Sequence, residues 1–482
     1  MEWLGAGWFG TAGYDVARFV LQRGIAAVYV IAFVSSALQF PVLLGERGLL
    51  PVPRYLARVV RTPGPTLFRR HYSDDLLRAV TWTGAALGAL TVLGLPQQGP
   101  VWLPMLVFLA MWLLYMSIVN VGQVFYGFGW EILLLEAGFL AAFLGNHAGP
   151  TPVITLWLIR WLVFRLEFGA GMIKMRGDRV WRDLTALYYH HETQPMPNPL
   201  SWWFHHLPKP LHRMEVLGNH FAQLVVPFLL FAPQPVATWA AAVVIVTQLW
   251  LVLSGNFAWL NALTLVLAFS AVGDVELSGI LPGEAAVALQ GGTPAPGLPV
   301  WFAAVVLVMG GLMVVLAWRP LKNLLSRNQA MNASFNRWRL GNAYGAFGSI
   351  TRERYEVVVE GWDGLGWREY GFRGKPGDPS RMPRQWAPYH LRLDWMMWFL
   401  ALGQPGMSWF GPLLGKLLEA DPATLKLLRD DPFGGQAPEQ VRARVFSYRY
   451  TSWREWRESG NWWVREPAGV LVAPIRRSAP GA

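Results

Sequence analysis

Arg160, Glu167 and Lys174 recur at intervals of seven inside one apolar run. On a helix this spacing forms a single stripe with slow angular drift, and Arg165 lies on a different side of the same segment. Ionisable groups at membrane depth are costly and face a partner helix or a wet cavity, so the stripe reads as functional by default. The competing reading is an ion-pair ladder that locks helices together.

A polar segment follows, WRDLTALYYHHETQPMPNPLSWWFHHLP, from Trp181 to Pro208. It holds four histidines, His190, His191, His205 and His206, with Asp183, Glu192 and Gln194 nearby and a proline-rich, non-helical centre. Such a segment fits the mouth of a helix bundle, where it would place titrating and hydrogen-bonding groups over a pocket. It equally fits an interfacial loop anchored by its histidines and tryptophans. No metal is expected, because His191-Glu192-Thr193-Gln194-Pro195 lacks the second histidine of the zinc-protease helix motif and ends in a helix breaker. No cofactor is expected either. Gly5, Gly7 and Gly10 have dinucleotide spacing, but no strand can precede them and no acidic partner is correctly placed. Arg176-Gly177-Asp178 is an adhesion tripeptide only in another context, and neither a P-loop nor a Gly-x-Ser-x-Gly elbow occurs. Asn332-Ala333-Ser334 accepts a glycan only if it reaches a glycosylating lumen.

The elements that hold these residues are membrane helices. Of 482 residues 53% are hydrophobic and only 15% charged, and the mean hydropathy is +0.29, too apolar for two ordinary soluble domains. Clean apolar runs span Ile25 to Leu44, Val101 to Val119, Val153 to Phe168, Val236 to Leu253 and Val300 to Trp318. Less clean ones lie at Ala79 to Leu95, Glu131 to Leu144, Phe221 to Phe231 and Phe257 to Val272. This predicts a polytopic α-helical membrane protein with about eight or nine membrane segments, the marginal ones re-entrant or interfacial. Ile25 to Leu44 reads as a retained first helix, since the features of a cleaved signal peptide are missing. The absence of cysteine excludes disulfides and thiolate chemistry. Trp102, Trp130, Trp202, Trp203 and Trp318 near segment ends suit the aromatic belts of a bilayer.

A net charge of +11 raises the question of nucleic acid, and its placement answers it. Seven arginines and three acids lie between Gly45 and Arg78, more basic residues fill Lys174 to Arg213, and Arg319, Lys322 and Arg327 open the tail. The connections Pro96 to Pro100, Asn146 to Thr151, Ala232 to Pro235 and Gly273 to Pro299 hold no Lys or Arg. Two sets on opposite faces make the positive-inside pattern, with lipid rather than nucleic acid as the partner and the tail on the cytoplasmic side. Residues 1–318 are thus expected to form a transmembrane helical domain that includes the polar segment 171–215. Residues 319–482 are expected to form a soluble α+β tail. There Arg354 to Glu360 and Trp367 to Phe372 flank a Gly-rich turn as a β-hairpin, Leu391 to Leu402 and Pro412 to Leu428 have helical spacing, and Arg444 to Thr451 reads as a strand.

With these residues in view the chain resembles the lipase maturation factor family. The segments that carry the likeness are GERGLLPV, FGAGMIKMRGD, the whole stretch from Trp181 to Pro208, NAYGAFGSITRERYEVVVEG, WREYGFRGKPGD and PYHLRLDWMMWF, which together cover nearly the whole chain. The resemblance implies a membrane-bound factor that helps lipases or other exported proteins to fold and assemble, with a client lipase as partner. Eukaryotic members sit in the endoplasmic reticulum membrane, serve dimeric lipases such as lipoprotein lipase and place the tail in the lumen. The Ala, Gly, Arg and Pro-rich composition points to a bacterial chain, for which the inner membrane is expected. Carried onto this sequence, the membrane-proximal motif supplies Lys174, Arg182, Asp183, Tyr188, His190, Glu192, Gln194 and Asn198. The tail supplies Arg352, Glu353, Tyr355, Glu356, Arg392 and Asp394 as a client-binding set. A looser similarity, Gly171 to Lys174, is to the vitamin K-dependent carboxylases and their transmembrane relatives, which implies an enzyme with Lys174 or a histidine as base. A transporter ranks third, since no internal repeat is visible.

Overall fold

The computed structural model describes residues 9–11, 13–279, 297–404 and 406–477. Gly5, Gly7 and most of the connection from Gly273 to Pro299 lie outside the described residues.

Four described helices are long and apolar enough to cross a membrane: α1 (Asp15–Leu44), α3 (Trp102–Val119), α8 (Val236–Ser254) and α10 (Val300–Leu325). Between them lie α2 (Asp74–Val92), α4 (Gly129–Ala141), α5 (Val153–Arg176), α6 (Leu187–Thr193), α7 (Lys209–Leu224) and α9 (Leu260–Ala268). The weaker apolar runs thus become something other than four more clean spans. The run Glu131 to Leu144 sits in a helix of 13 residues, about 20 Å at 1.5 Å per residue and short of the hydrocarbon thickness. Every residue of that helix is buried, so it is apolar because protein surrounds it on all sides. The run Phe221 to Phe231 is cut at Val225, where Pro227 follows and the helix restarts.

Contacts sort the connections into two groups about 45 Å apart, the length of α1. At the start of α1, Asp274 accepts from the Asp15 and Val16 amides, Gln234 bonds Tyr14, and Asn146 and His147 bond Gly99 and Gln97. These are the connections without Lys or Arg. At the other end lie the Arg-rich stretch after Leu44, the polar segment and the tail, joined for example by Arg339 to Asn120 (3.0 Å) and by Arg352 to Asp178 (3.0 Å).

In the tail the expected hairpin forms as β3 (Arg354–Trp362) and β4 (Trp367–Glu369), numbered after the two-residue strands β1 (Gly10–Thr11) and β2 (Thr151–Pro152). With β5 (Gln440–Tyr450) and β6 (Trp463–Arg476) they make an antiparallel sheet of order β4-β3-β5-β6. The helical stretch Pro412 to Leu428 breaks into Phe410–Leu418 and Pro422–Leu425, because Pro422 cannot continue a helix and Asp421 caps the second piece through the Thr424 amide. The tail does not pack as a separate body. One apolar cluster runs from Phe33 and Leu43 of α1 through Leu133 of α4 into Leu391, Met397 and Leu413 of the tail.

Candidate functional site

The buried polar groups of the membrane part meet the tail and the polar segment in four clusters. In the first, Glu131 on α4 and Arg392, which opens tail helix α11 (Arg392–Ala401), pair at 2.7 Å with both side chains fully enclosed. Tyr115 donates its hydroxyl to the same carboxylate, His390 Nδ1 lies 3.6 Å from it, and the Arg392 guanidinium stacks on the Tyr126 ring at 3.5 Å. His390 is held down to about 3 by burial and by the adjacent Arg392, so it is neutral.

In the second, Arg165 pairs with Glu136 at 2.5 Å, again fully enclosed. The tail closes this pair: Asn342 and Tyr344 both donate to Glu136, at 2.9 and 2.8 Å, and the Asn342 carbonyl accepts from Arg165 at 2.8 Å. Gly169 makes the approach possible, since a Cβ there would lie 2.6 Å from the Tyr344 carbonyl oxygen.

The third cluster belongs to the stripe. Glu167 accepts from Gln248 at 2.6 Å and from Gln223 at 3.2 Å, while Lys174 donates to Gln223 at 2.9 Å and Asn219 at 2.8 Å and sits over the Trp181 ring. Gln223 therefore bridges the two charges. Arg160, the third member, donates to the Ser270 carbonyl at 3.0 Å and is remote from that bridge. The stripe is real as a face, but amides and carbonyls rather than opposite charges satisfy it.

The fourth lock holds the polar segment against the sheet. Arg354 at the start of β3 donates to the carbonyls of Glu192 (2.9 Å), Gln194 (2.5 Å) and Pro195 (3.1 Å) and pairs with Glu356 (2.6 Å). Lys375 pairs with the other oxygen of Glu356 at 2.9 Å. Glu192 accepts the Tyr450 amide at 2.7 Å and lies 3.8 Å from His205, and Trp202 donates to the Thr451 carbonyl at 3.0 Å. Gln194 bonds the Ser254 carbonyl, and Asn198 bonds the Val252 carbonyl and Gln385. Burial raises Glu192 above the ordinary carboxylate value and holds His190 at about 3 and His205 at about 4.

The remaining sequence-predicted residues divide by exposure. His190 is buried between Phe257 and Phe347, and His191 contacts His212. Arg182 and Asp183 are exposed, Tyr188 is half-buried and accepts from Arg213, and His206 packs on Trp202. In the tail Arg352, Glu353 and Tyr355 are exposed, whereas Glu356, Arg392 and Asp394 are buried. Asp394 has no basic partner in Arg392 or Arg352: its Oδ1 accepts the Gly374 and Lys375 amides at 2.6 and 3.1 Å, because it faces the 372–375 turn. Sequence reasoning missed Glu131, Glu136, Tyr344, Arg354 and His390, each of which has a partner 159 residues or more away along the chain. The one available signal was an acid at positions 131 and 136 inside an apolar run. Among the described residues a cavity of about 260 Å³ lies in the tail, bordered by Glu369, Lys375, Arg429 and Arg465.

Fold and site together define an integral membrane protein whose tail is keyed into its helices by buried charge. The family model for the lipase maturation factor transmembrane domain matches residues 16–279, and that for the lipase maturation factor C-terminal domain matches residues 340–473. The chain is 40% identical to lipase maturation factor 1 of Bos taurus, over 96% of this chain and 89% of that one, and 39% identical to its Homo sapiens counterpart over 96% and 88%. Lipase maturation factor 2 of Homo sapiens is 30% identical over 94% and 82%. The chain belongs to the lipase maturation factor family. None of these relatives is named as a carboxylase, so the carboxylase-like alternative finds no support among them. No solved structure matches it.

Proposed function

We propose that this chain is a membrane-bound factor that assists the folding and assembly of lipases or other exported proteins. The observation that carries the reading is that 40% identity to a protein named lipase maturation factor 1 extends over 96% of the chain, membrane helices and tail alike. A folding factor needs an exposed client surface rather than a reactive centre. The buried clusters supply the rigid frame for one: Glu356, Arg392 and Asp394 act as positioning residues, and Arg352, Glu353 and Tyr355 at the exposed start of β3 contact the client. Of the membrane-proximal set, Lys174, Gln194 and Asn198 hold the polar segment in place.

The finer topology belongs to the same reading. A helical domain over 1–318 crosses about eight or nine times, with α4 and α9 as partial segments, and a tail domain occupies 319–482. The bilayer is the inner membrane for a bacterial chain and the endoplasmic reticulum membrane for a eukaryotic one. Co-expression with a secreted dimeric lipase tests the function: the full chain should raise the amount of active lipase released, and Tyr355→Ala with Glu353→Ala should abolish the gain at equal membrane insertion. No gain from the inserted wild-type chain would defeat the reading. Protease accessibility of a tagged C-terminus in sealed vesicles decides the side. An exported tail fits direct client contact, and a cytoplasmic tail removes it for secreted clients.

A further inference from the structure

His212 and Glu215 are three residues apart on α7, so both side chains leave one face of that helix. His191, on α6, packs against that face, its ring centroid 5.7 Å from that of His212. His191 and His212 are 1% and 2% exposed. Among the described residues, both ring nitrogens of His191, Nδ1 of His212 and Oε2 of Glu215 have no hydrogen-bond partner. Buried polar atoms are nearly always paired, so three unpaired ones facing each other, one from each residue, call for an occupant.

The far side of two of the three groups, His212 and Glu215, is already fixed. Nε2 of His212 faces the His205 carbonyl at 3.3 Å, which makes it the protonated nitrogen and turns the Nδ1 lone pair inward. Oε1 of Glu215 accepts from Trp250 Nε1 at 2.5 Å, which leaves Oε2 pointing at the histidines. His212 Nδ1 and Glu215 Oε2 are 3.9 Å apart, and one donor atom from each of the three residues lies within 4.8 Å of the others. Donors around a tetrahedral zinc ion ligated at about 2.1 Å stand about 3.4 Å apart, a closure within reach of side-chain rotation.

We propose that His191, His212 and Glu215 bind one divalent transition metal of the zinc class, with water in the fourth position. Two imidazoles and one carboxylate suit zinc, whereas calcium and magnesium require oxygen cages. The ion staples the polar segment to α7 beside Glu192 and His205. The assignment is independent of the lipase reading. The sequence motif that ends at Pro195 concealed it, because the second histidine comes from position 212 on another helix.

The test uses the full chain purified in detergent, stripped with chelator and titrated with Co2+ alone and then Zn2+. One equivalent of Co2+ per chain is expected, with the intense visible absorption of a four-coordinate site, displaced by Zn2+. His212→Ala and the isosteric Glu215→Gln should each weaken binding by at least about tenfold. His206→Ala, whose ring bonds the Trp202 carbonyl instead, should leave it unchanged. Where the alanine variant fails to extract as folded protein, Glu215→Gln carries the test. Absence of stoichiometric binding, or binding unaltered in the folded ligand variants, overturns the assignment.

Discussion

Glu131 and Arg392 meet at 2.7 Å with neither side chain exposed, joining the second half of the chain to a helix 261 residues earlier. A buried pair of this kind gains little over an apolar pair of the same shape, but it is unforgiving of a single loss. Its geometry is completed from both sides, by Tyr115 and Tyr126 from the helices and by the Phe125 carbonyl, so the guanidinium fits one docking pose of the tail.

Arg392→Ala should therefore destabilise the protein by about 3–5 kcal/mol, since it strands the Glu131 carboxylate without a counter-charge. Combining it with Glu131→Gln should recover much of that loss. Thermal unfolding in detergent of the two single variants and the double variant checks this. Additive losses would mean that the two residues are not coupled.

Arg354 supports the opposite edge of the same docking. Its replacement by Ala removes donors to three carbonyls of the polar segment and leaves Glu356 with Lys375 alone. A loss of about 3–5 kcal/mol is expected, as for other broken buried ion pairs. Faster protease cleavage near Pro195 to Asn198 should accompany it. Unchanged cleavage there would show that the sheet does not hold the segment.

Asp394 separates two explanations of one buried carboxylate. If its work is to accept the Gly374 and Lys375 amides on Oδ1, Asp394→Ala costs about 1–3 kcal/mol for each stranded amide, and Asp394→Asn, which keeps that oxygen, restores most of it. Charge pairing predicts instead that Asn fails as badly as Ala. Melting temperatures of the two variants decide.

Local pattern made part of this architecture legible. Arg354 to Glu360 alternates and is a strand, and Arg160, Glu167 and Lys174 do share a face. Partners were not legible, because Glu136 and Tyr344, or His191 and His212, come together only through the packing of the helices. The role of α4 was not legible for a related reason: it is as apolar as a membrane span, yet protein encloses it. β6 escaped notice because Pro467 and Pro474 interrupt its alternation, which an edge strand tolerates.

One acid-sensitive contact lies between the end of α5 and the tail. Asp178 accepts both terminal nitrogens of Arg352 at 3.0 Å, and these bonds, with help from the Val180 and Ile350 amides, lower its carboxyl from 3.8 to about 2. Because the folded value is the lower one, the ionised carboxylate stabilises the fold. Its contribution is complete above the unfolded value and fades as pH falls from there through about 2. The Arg352 side chain is 43% exposed, so solvent screening holds the pair to about 1 kcal/mol or less. The stability gap between the wild-type chain and Arg352→Gln should stay level from neutral pH down to about 4 and close near pH 2. Chemical denaturation of both across that range measures it. A gap that widened on acidification would mean that Asp178 carries its proton in the folded state.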